Sequence, residues 1–416
     1  MAILLCMFTS CKDDESEVAT YDPLKPVTVT DIMPTTGGIS TPVVIAGDNF
    51  GTDKTKVKVF FDEREAVVIN LVNNYIYALV PKCDGGAKQV KVVVEDLNEG
   101  LLTGKTFEYI VSASVTTVAS DYMPEFDNMV SIAVDDEQNL IINESSKILL
   151  YSGEDNELVT LLDNMYTFQD VHFSADCKDL YLMPYDPAQA ALVILHKDEN
   201  WSREIIFADD DMIDDLSYGT GSMTVDEEGM IYIYGAGYSG GKLYRIDPQS
   251  RVITKLGEIA EDNGYSLTYN PRDKYLYLSL YDAQRIIRFP SRKENITNAD
   301  VENVIGGSNS YILEGEIGNV YGIDIDSDNN LYAAGISDDA IDHVIYKLDL
   351  SNREATVLTG KGSNDAGVDG DLSAARFYYP MELCITPDDV IYIMEYFSSR
   401  WDFVPSVARL RCLSIQ

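Results

Sequence analysis

The tripeptide apolar-Tyr-apolar returns at five places after Val111: Leu180-Tyr181-Leu182, Ile231-Tyr232-Ile233, Leu276-Tyr277-Leu278, Leu331-Tyr332-Ala333 and Ile391-Tyr392-Ile393. Leu140-Ile141-Ile142 fills an earlier, sixth place with Ile for Tyr. An acidic or Gly-containing turn precedes each, as in Asp226-Glu227-Glu228-Gly229, and another apolar strand precedes the turn, as in Met223-Thr224-Val225. A third strand follows each hairpin (Lys242 to Ile246, Val344 to Leu348), and a fourth comes after an Asp/Ser/Asn turn (Val252 to Leu256, Ala355 to Thr359). Four antiparallel strands repeated at intervals of roughly 40 to 60 residues predict the blades of a six-bladed β-propeller. The tyrosines at 181, 232, 277, 332 and 392 then hold one position per blade and serve sheet-to-sheet packing.

The sixth unit stops after its third strand, Val407 to Arg411. That would leave an exposed edge, which proteins avoid. Ser114 to Ala119, just ahead of the first repeat, is a spare strand. We expect it to complete the last blade and close the ring by main-chain hydrogen bonds.

Residues 26–110 carry a different pattern. Val57-Lys58-Val59-Phe60-Phe61 alternates at period two, as a half-buried strand does. Pro26 to Thr30, Val43 to Ala46, Ile76 to Val80 and Val90 to Val94 continue the strands, with turn signals about every ten residues. Ile32-Met33-Pro34 with a following Gly, then Gly47-Asp48-Asn49-Phe50-Gly51, Val80-Pro81 and Thr103-Gly104…Phe107-Glu108-Tyr109 together resemble the IPT/TIG family. The resemblance implies an immunoglobulin-like sandwich without chemistry of its own, similar to the spacers of Bacteroidetes surface proteins. Its glycines serve tight turns, and Phe50 plugs one end.

In the last repeat, Asp369-Gly370-Asp371-Leu372-Ser373-Ala374-Ala375-Arg376-Phe377 with Pro380 and Ile391-Tyr392-Ile393 resembles the NHL-repeat family of six-bladed propellers. The whole chain therefore reads as all-β: an immunoglobulin-like IPT/TIG sandwich followed by an NHL-like β-propeller over residues 113–416. Some NHL propellers are metal-dependent lyases that hold zinc by histidines around the channel. Here His172 falls on an innermost strand, His196 on a third strand and His343 in a second-to-third-strand loop. Those places do not match, so no metal site is expected.

The chain begins with Ile3 to Phe8, an apolar run too short to span a bilayer, which reads as the core of a signal peptide although a basic n-region is missing. Thr9-Ser10-Cys11 followed by Lys12-Asp13-Asp14-Glu15 resembles a bacterial lipobox and the lipoprotein export signal of Bacteroidetes. The resemblance implies lipidation at Cys11, a signal segment over 1–11, a linker over 12–25, and display on the cell surface of the outer membrane by a lipid anchor alone. Cys83, Cys177, Cys384 and Cys412 lack any zinc-ligand spacing. They read as small buried residues, with oxidation of one pair left open.

Charge narrows the partners. With 31 Lys+Arg against 69 Asp+Glu, the formal net charge is −38. Nucleic acid needs a basic footprint, and other polyanions are disfavoured for the same reason. No Gly-x-Ser-x-Gly elbow, His-Glu-x-x-His or phosphate loop occurs, and no cofactor is expected. Gly235-Ala236-Gly237 and Gly240-Gly241 read as a turn between strands. Asp209-Asp210-Asp211 with Asp214-Asp215 lacks the ligand spacing of a calcium loop and reads as a solvated acidic loop.

What is left is a binding face. Loops joining second to third strands, and one blade to the next, rim the same mouth of the channel. They carry Tyr185, Tyr238, Tyr281 and Tyr379, and the aromatic-rich loop of Phe397, Arg400 and Trp401. Aromatic faces stack on the apolar patches of sugar rings while neighbouring polar groups bond the hydroxyls. The chain resembles the surface glycan-binding proteins of Bacteroidetes polysaccharide-utilisation systems. That likeness implies capture of an oligo- or polysaccharide beside a SusC/SusD-like outer-membrane importer, without catalysis. Two alternatives stay open: a propeller polysaccharide lyase or glycoside hydrolase, and a protein-binding adhesion or scaffold module.

Overall fold

The computed structural model describes residues 21–415 apart from 40, 73, 84, 112, 120–130, 136, 138, 145–146, 153–156, 164–166, 186–190, 208–220, 238–239, 262, 281–282, 338–341, 362–366, 387–388 and 398–406. The described residues form two compact units, 21–111 and 113–415.

In the first unit, one antiparallel sheet runs in the order Thr28–Met33, Pro42–Asp48, Tyr75–Leu79, Arg64–Val72, Val57–Phe61, Val90–Val94, Asn98–Leu101. A small second sheet joins Thr36–Gly37, Phe107–Tyr109 and Gly86–Lys88. Period-two alternation puts Val57, Val59 and Phe61 inward, where they share one core with Ile45, Ile76, Phe107 and Tyr109. The Gly47 to Gly51 motif has a local cause. A Cβ on Gly47 would lie 2.0 Å from the Thr28 carbonyl and 2.3 Å from the Phe50 ring, so only glycine lets Phe50 seat at 1% exposure. Asn49 adopts φ 66°, and its side chain donates to the carbonyls of Asp22 (2.9 Å) and Lys25 (2.8 Å).

The second unit is a ring of six antiparallel sheets. Blade 1 comprises Ser131–Val134, Leu140–Glu144, Lys147–Ser152 and Glu157–Asp163; blade 2 comprises Phe168–Phe173, Asp179–Pro184, Leu192–His196 and Ser202–Ile206. Blade 3 is built of Gly221–Val225, Ile231–Gly237, Gly240–Asp247 and Val252–Ile259. Gly235 to Gly241 is thus not a plain turn: Gly235 pairs with Lys242 and Gly237 with Gly240, because glycine backbones continue the ladder to its last rung. Blade 4 takes Gly264–Asn270, Tyr275–Leu280, Arg285–Pro290 and Glu302–Ile305; blade 5 takes Asn319–Ile325, Asn330–Ile336, His343–Asp349 and Glu354–Thr359. Blade 6 holds Pro380–Ile385, Ile391–Phe397 and Val407–Ile415. The first strand of each blade touches the first strand of the next, and that of blade 6 returns to blade 1.

Ring closure follows the expectation. Ala113–Ala119 pairs antiparallel with Val407–Ile415, Ser114 opposite Ser414 and Thr116 opposite Cys412, so the open edge of blade 6 is covered by main-chain bonds. Gly370–Asp371 of the NHL-like motif adds a short fifth strand outside it. Asp369 accepts from Thr117 through its N–H (3.0 Å) and hydroxyl (2.8 Å), and from Arg411 (2.9 Å).

The repeated tyrosines bind blade to blade. Tyr181 packs with Met223 and Ile231 of blade 3, Tyr232 with Leu276 and Phe289 of blade 4, and Tyr392 with Ile142 of blade 1. Two of them also latch the preceding turn. Asp226 and Asp326 each accept main-chain N–H groups two and four residues on, while their second oxygens accept the hydroxyls of Tyr232 (3.0 Å) and Tyr332 (3.2 Å). Tyr232→Phe leaves buried Asp226 short of a donor, and we expect a loss of about 1.5–3 kcal/mol, typical of hydrogen bonds to charged groups. Chemical denaturation of the purified chain checks it; an unchanged midpoint would show that the latch carries no stability. Cys83, Cys177, Cys384 and Cys412 are free thiols.

Candidate binding site at the propeller channel

The inner edge of each blade is an unpaired strand whose N–H groups point into the channel, and buried N–H groups need partners. Side chains of the preceding blade supply them. Asp170 of blade 2 accepts from Met223 N (2.7 Å) and the Ser222 hydroxyl (2.9 Å). Ser222 accepts from Leu267 N (3.0 Å), Ser266 from Ile323 N (3.2 Å) and Asp324 from Ile385 N (2.9 Å). The ladders shift register beside Asp170, Ser266 and Glu382, and such bulges re-aim side chains.

Glu382 is the exception in this ring. Among the described residues its Oε1 accepts only from its own neighbour Leu383 N (3.1 Å) and, at 3.5 Å, from the Ser266 hydroxyl. Burial pushes its carboxyl well above the ordinary range, with Asp170 and Asp324 adding to the shift. Burial also raises Asp170 and Asp324, against hydrogen bonds and His172, which lower them. His172 Nδ1 lies 2.7 Å from the Phe173 carbonyl, so that nitrogen carries a proton and donates. The cavity these groups line measures about 90 Å³. That is small beside the roughly 300–1,000 Å³ of ordinary ligand pockets, so a sugar-sized ligand belongs at the mouth. Among the described residues, no three His, Cys, Asp or Glu groups converge to hold a metal ion.

At the mouth, the entry ends of three innermost strands gather aromatic rings. Tyr265 and Tyr321, entering blades 4 and 5, meet edge to face at 5.6 Å. Tyr378 and Tyr379, entering blade 6, pack on each other at 5.0 Å and on His343 at 5.6 and 4.3 Å. His343 is not in a loop: it opens the third strand of blade 5 at 5% exposure, where the bulk of the two tyrosines covers it. Burial lowers its pKa, and its Nδ1 accepts from Tyr379 N at 3.2 Å. Glu395 fixes the pair from beneath, accepting from Tyr378 N at 2.8 Å.

Of the residues expected to bind, Tyr185 is 54% exposed at the end of the second strand of blade 2, anchored by its N–H to the Thr167 carbonyl (2.7 Å). Tyr379 is half-buried at the entry to blade 6. Phe397 closes the second strand of blade 6, with its backbone opposite Val407. Tyr185 and Tyr379 thus lie on the blades that flank blade 1. Tyr238, Tyr281, Arg400, Trp401 and the lipidation candidate Cys11 lie outside the described residues. Sequence reasoning missed Tyr265, Tyr321, Tyr378 and the channel carboxylates. The available signal was an acid inside an apolar strand, as in Ile323-Asp324-Ile325.

Comparison with known proteins accords with this all-β architecture. The IPT/TIG domain is matched over residues 26–109. A Bacteroides thetaiotaomicron protein of unknown function is 23% identical with TM-score 0.78, covering 96% of this chain and 100% of its own. An auxiliary nutrient binding protein from Bacteroides ovatus is 17% identical with TM-score 0.55, covering 95% and 100%. A Bacteroides thetaiotaomicron protein provisionally described as a phosphatase is 19% identical with TM-score 0.54, covering 96% and 99%. No curated protein matches. The class is an IPT/TIG domain followed by a six-bladed propeller. Within that class, the chain resembles an auxiliary nutrient-binding protein of Bacteroides in fold.

Proposed function

We propose that the chain is a non-catalytic, surface-exposed lipoprotein that captures a neutral oligo- or polysaccharide at the propeller mouth. It would be anchored through Cys11 on the outer membrane and hand the glycan to a SusC/SusD-like importer. The observation that carries this reading is the gathering of Tyr265, Tyr321, Tyr378 and Tyr379 at the entry to a channel too narrow to admit a sugar. Rings there offer stacking faces, and the acidity of the chain as a whole disfavours a polyanionic ligand. The fold-level likeness to a nutrient-binding protein supports the same direction.

A glycan array followed by calorimetry tests it. Tyr379→Ala and Trp401→Ala should each weaken the best array ligand about tenfold, or about 1.4 kcal/mol. Released product from a panel of polysaccharides and phosphomonoesters would overturn the non-catalytic reading. A stable co-purifying protein, with no glycan bound, would replace capture by scaffolding.

A further inference from the structure

The repeat supplies its own control for a second site. In blades 3 and 5 the second-strand tyrosine donates to the Asp that caps the preceding turn, and in blade 4 Tyr277 donates to Asp273 (2.6 Å). Blade 2, like blade 6 with its Thr386 cap, departs from this pattern. Its cap is Ser174, whose hydroxyl donates to Asp176 (2.8 Å) and accepts from Asp179 N (3.0 Å). Its turn is one residue longer than that of blade 3, since Tyr181 stands seven places after Ser174 whereas Tyr232 stands six after Asp226; blade 4 shares the longer spacing, from Asn270 to Tyr277. Tyr181 is buried to 4% exposure, and its hydroxyl makes no hydrogen bond among the described residues. An unmade hydrogen bond on a buried polar group is costly unless a ligand or solvent completes it.

Tyr181 instead lines a groove of about 520 Å³ between blades 2 and 3, within the roughly 300–1,000 Å³ usual for small-molecule sites. The groove opens at the end of the blades that carries the first-to-second and third-to-fourth-strand turns, opposite the mouth. Six carboxylates line it, among them Asp179, Glu204, Glu227 and Glu228, and no Lys or Arg does among the described residues. Exposed cations outside the lining pair with three of them: Arg251 with Glu204, Lys274 with Glu227, and Arg292 with Glu228 (2.6 Å). His196 is the one basic group in the lining, held between Asp179 (2.7 Å) and Glu204 (3.4 Å). Lys178 pairs likewise with Asp176 (3.2 Å), so even with His196 charged the six carboxylates keep only a small negative excess over the cations around them. These carboxylates surround an extended void rather than a point, which does not suit a metal ion and does suit an extended organic cation.

We propose that this groove binds a small organic ammonium, carried on an amino sugar or a free amine, with Asp179 and Glu204 countering its charge and the Tyr181 hydroxyl accepting one ammonium hydrogen. Charge-assisted hydrogen bonds of this kind are the stronger ones and hold best at low salt. The site is independent of glycan capture at the mouth.

Calorimetry on the full chain at low salt, with the tetrasaccharide of glucosamine, its fully N-acetylated counterpart and lysine, tests it. The glucosamine tetramer should bind, and the acetylated one should bind at least about tenfold more weakly. Lysine binding as tightly as the tetramer assigns the bare amine; binding of the tetramer alone assigns the amino sugar. Tyr181→Phe and Asp179→Asn/Glu204→Gln should each weaken binding about fivefold or more. Tyr181→Phe should leave the melting temperature of the free chain unchanged, because its hydroxyl bonds nothing among the described residues, whereas Tyr232→Phe should lower it. Failure of both ammonium ligands at millimolar concentration, equal binding of the acetylated tetramer, or parental binding by Tyr181→Phe would overturn the proposal.

Discussion

Arg411→Ala should lower the melting temperature of the propeller by roughly 5–8 °C, a loss of about 3–5 kcal/mol spread over about 2.1 cal/mol/K for each of some 300 residues. Arg411 is fully buried at 0% exposure. Its guanidinium donates to Glu395 (3.0 Å), Asp369 (2.9 Å) and the carbonyls of Arg376 (3.1 Å) and Val368 (3.0 Å). Asp369 in turn holds Thr117 of the closing strand. One side chain therefore fastens the end of the ring to its beginning and pins the NHL-like loop across the joint. Truncation strands Glu395, whose Oε2 already has no hydrogen-bond partner. Burial pushes the Glu395 carboxyl upward even with Arg411 and Arg409 opposing it.

Without Arg411 that rise grows, and the folded variant takes up a proton above the unfolded carboxyl range. Its deficit should then widen as pH rises from acid toward neutral. Scanning calorimetry on wild type and variant at acid and neutral pH reads both effects. The double variant Arg411→Met/Glu395→Leu should recover much of the loss, because removing both charges removes the stranded one. A melting temperature within about a degree of wild type for Arg411→Ala would mean that the closing strand alone secures the ring.

The same joint shows how far sequence reasoning reaches. Repeats of Tyr between apolar residues revealed the blades because strand periodicity and its turn chemistry are local. Closure by Ser114 to Ala119 was legible by elimination, since a missing fourth strand and a spare one must answer each other. The Arg411–Glu395 pair was not, because two charges 16 residues apart in neighbouring strands resemble any exposed cross-strand pair until burial is known. Site residues suffered similarly. Tyr378, unlike its neighbour Tyr379, was missed because it differs from the structural tyrosines only in where the chain enters blade 6, and Asp170, Ser266 and Glu382 owe their inward aim to bulges that leave no mark in composition. The unlatched Tyr181 becomes visible only by comparison with Tyr232 and Tyr332, whose sequence setting is nearly the same.

Glu382→Gln should stabilise the propeller at neutral pH by about 1–3 kcal/mol, because the buried carboxylate has few donors to compensate its charge. Asp170 and Asp324 stitch neighbouring blades and cannot be lost without freeing N–H groups, but Glu382 reaches no other blade's backbone. Its carboxyl is raised well above the ordinary value of 4.5, first by burial and then by Asp170 and Asp324. Between the unfolded and folded pKa values the folded chain holds a proton that the unfolded chain lacks. Stability therefore falls as pH rises through that window, and the loss is complete once Glu382 ionises in the fold. Asp369 contributes the opposite slope at the acid end. Its hydrogen bonds to Thr117 and the charge of Arg411 outweigh burial and lower its pKa, so stability is lost as acid protonates it. Wild type should consequently show a stability maximum on the acid side of neutrality. An amide at 382 cannot ionise, which removes the falling limb and moves the maximum upward. Melting temperatures from pH 4 to 9 decide the matter: parallel profiles for Glu382→Gln and wild type would mean that water in the channel already compensates the charge.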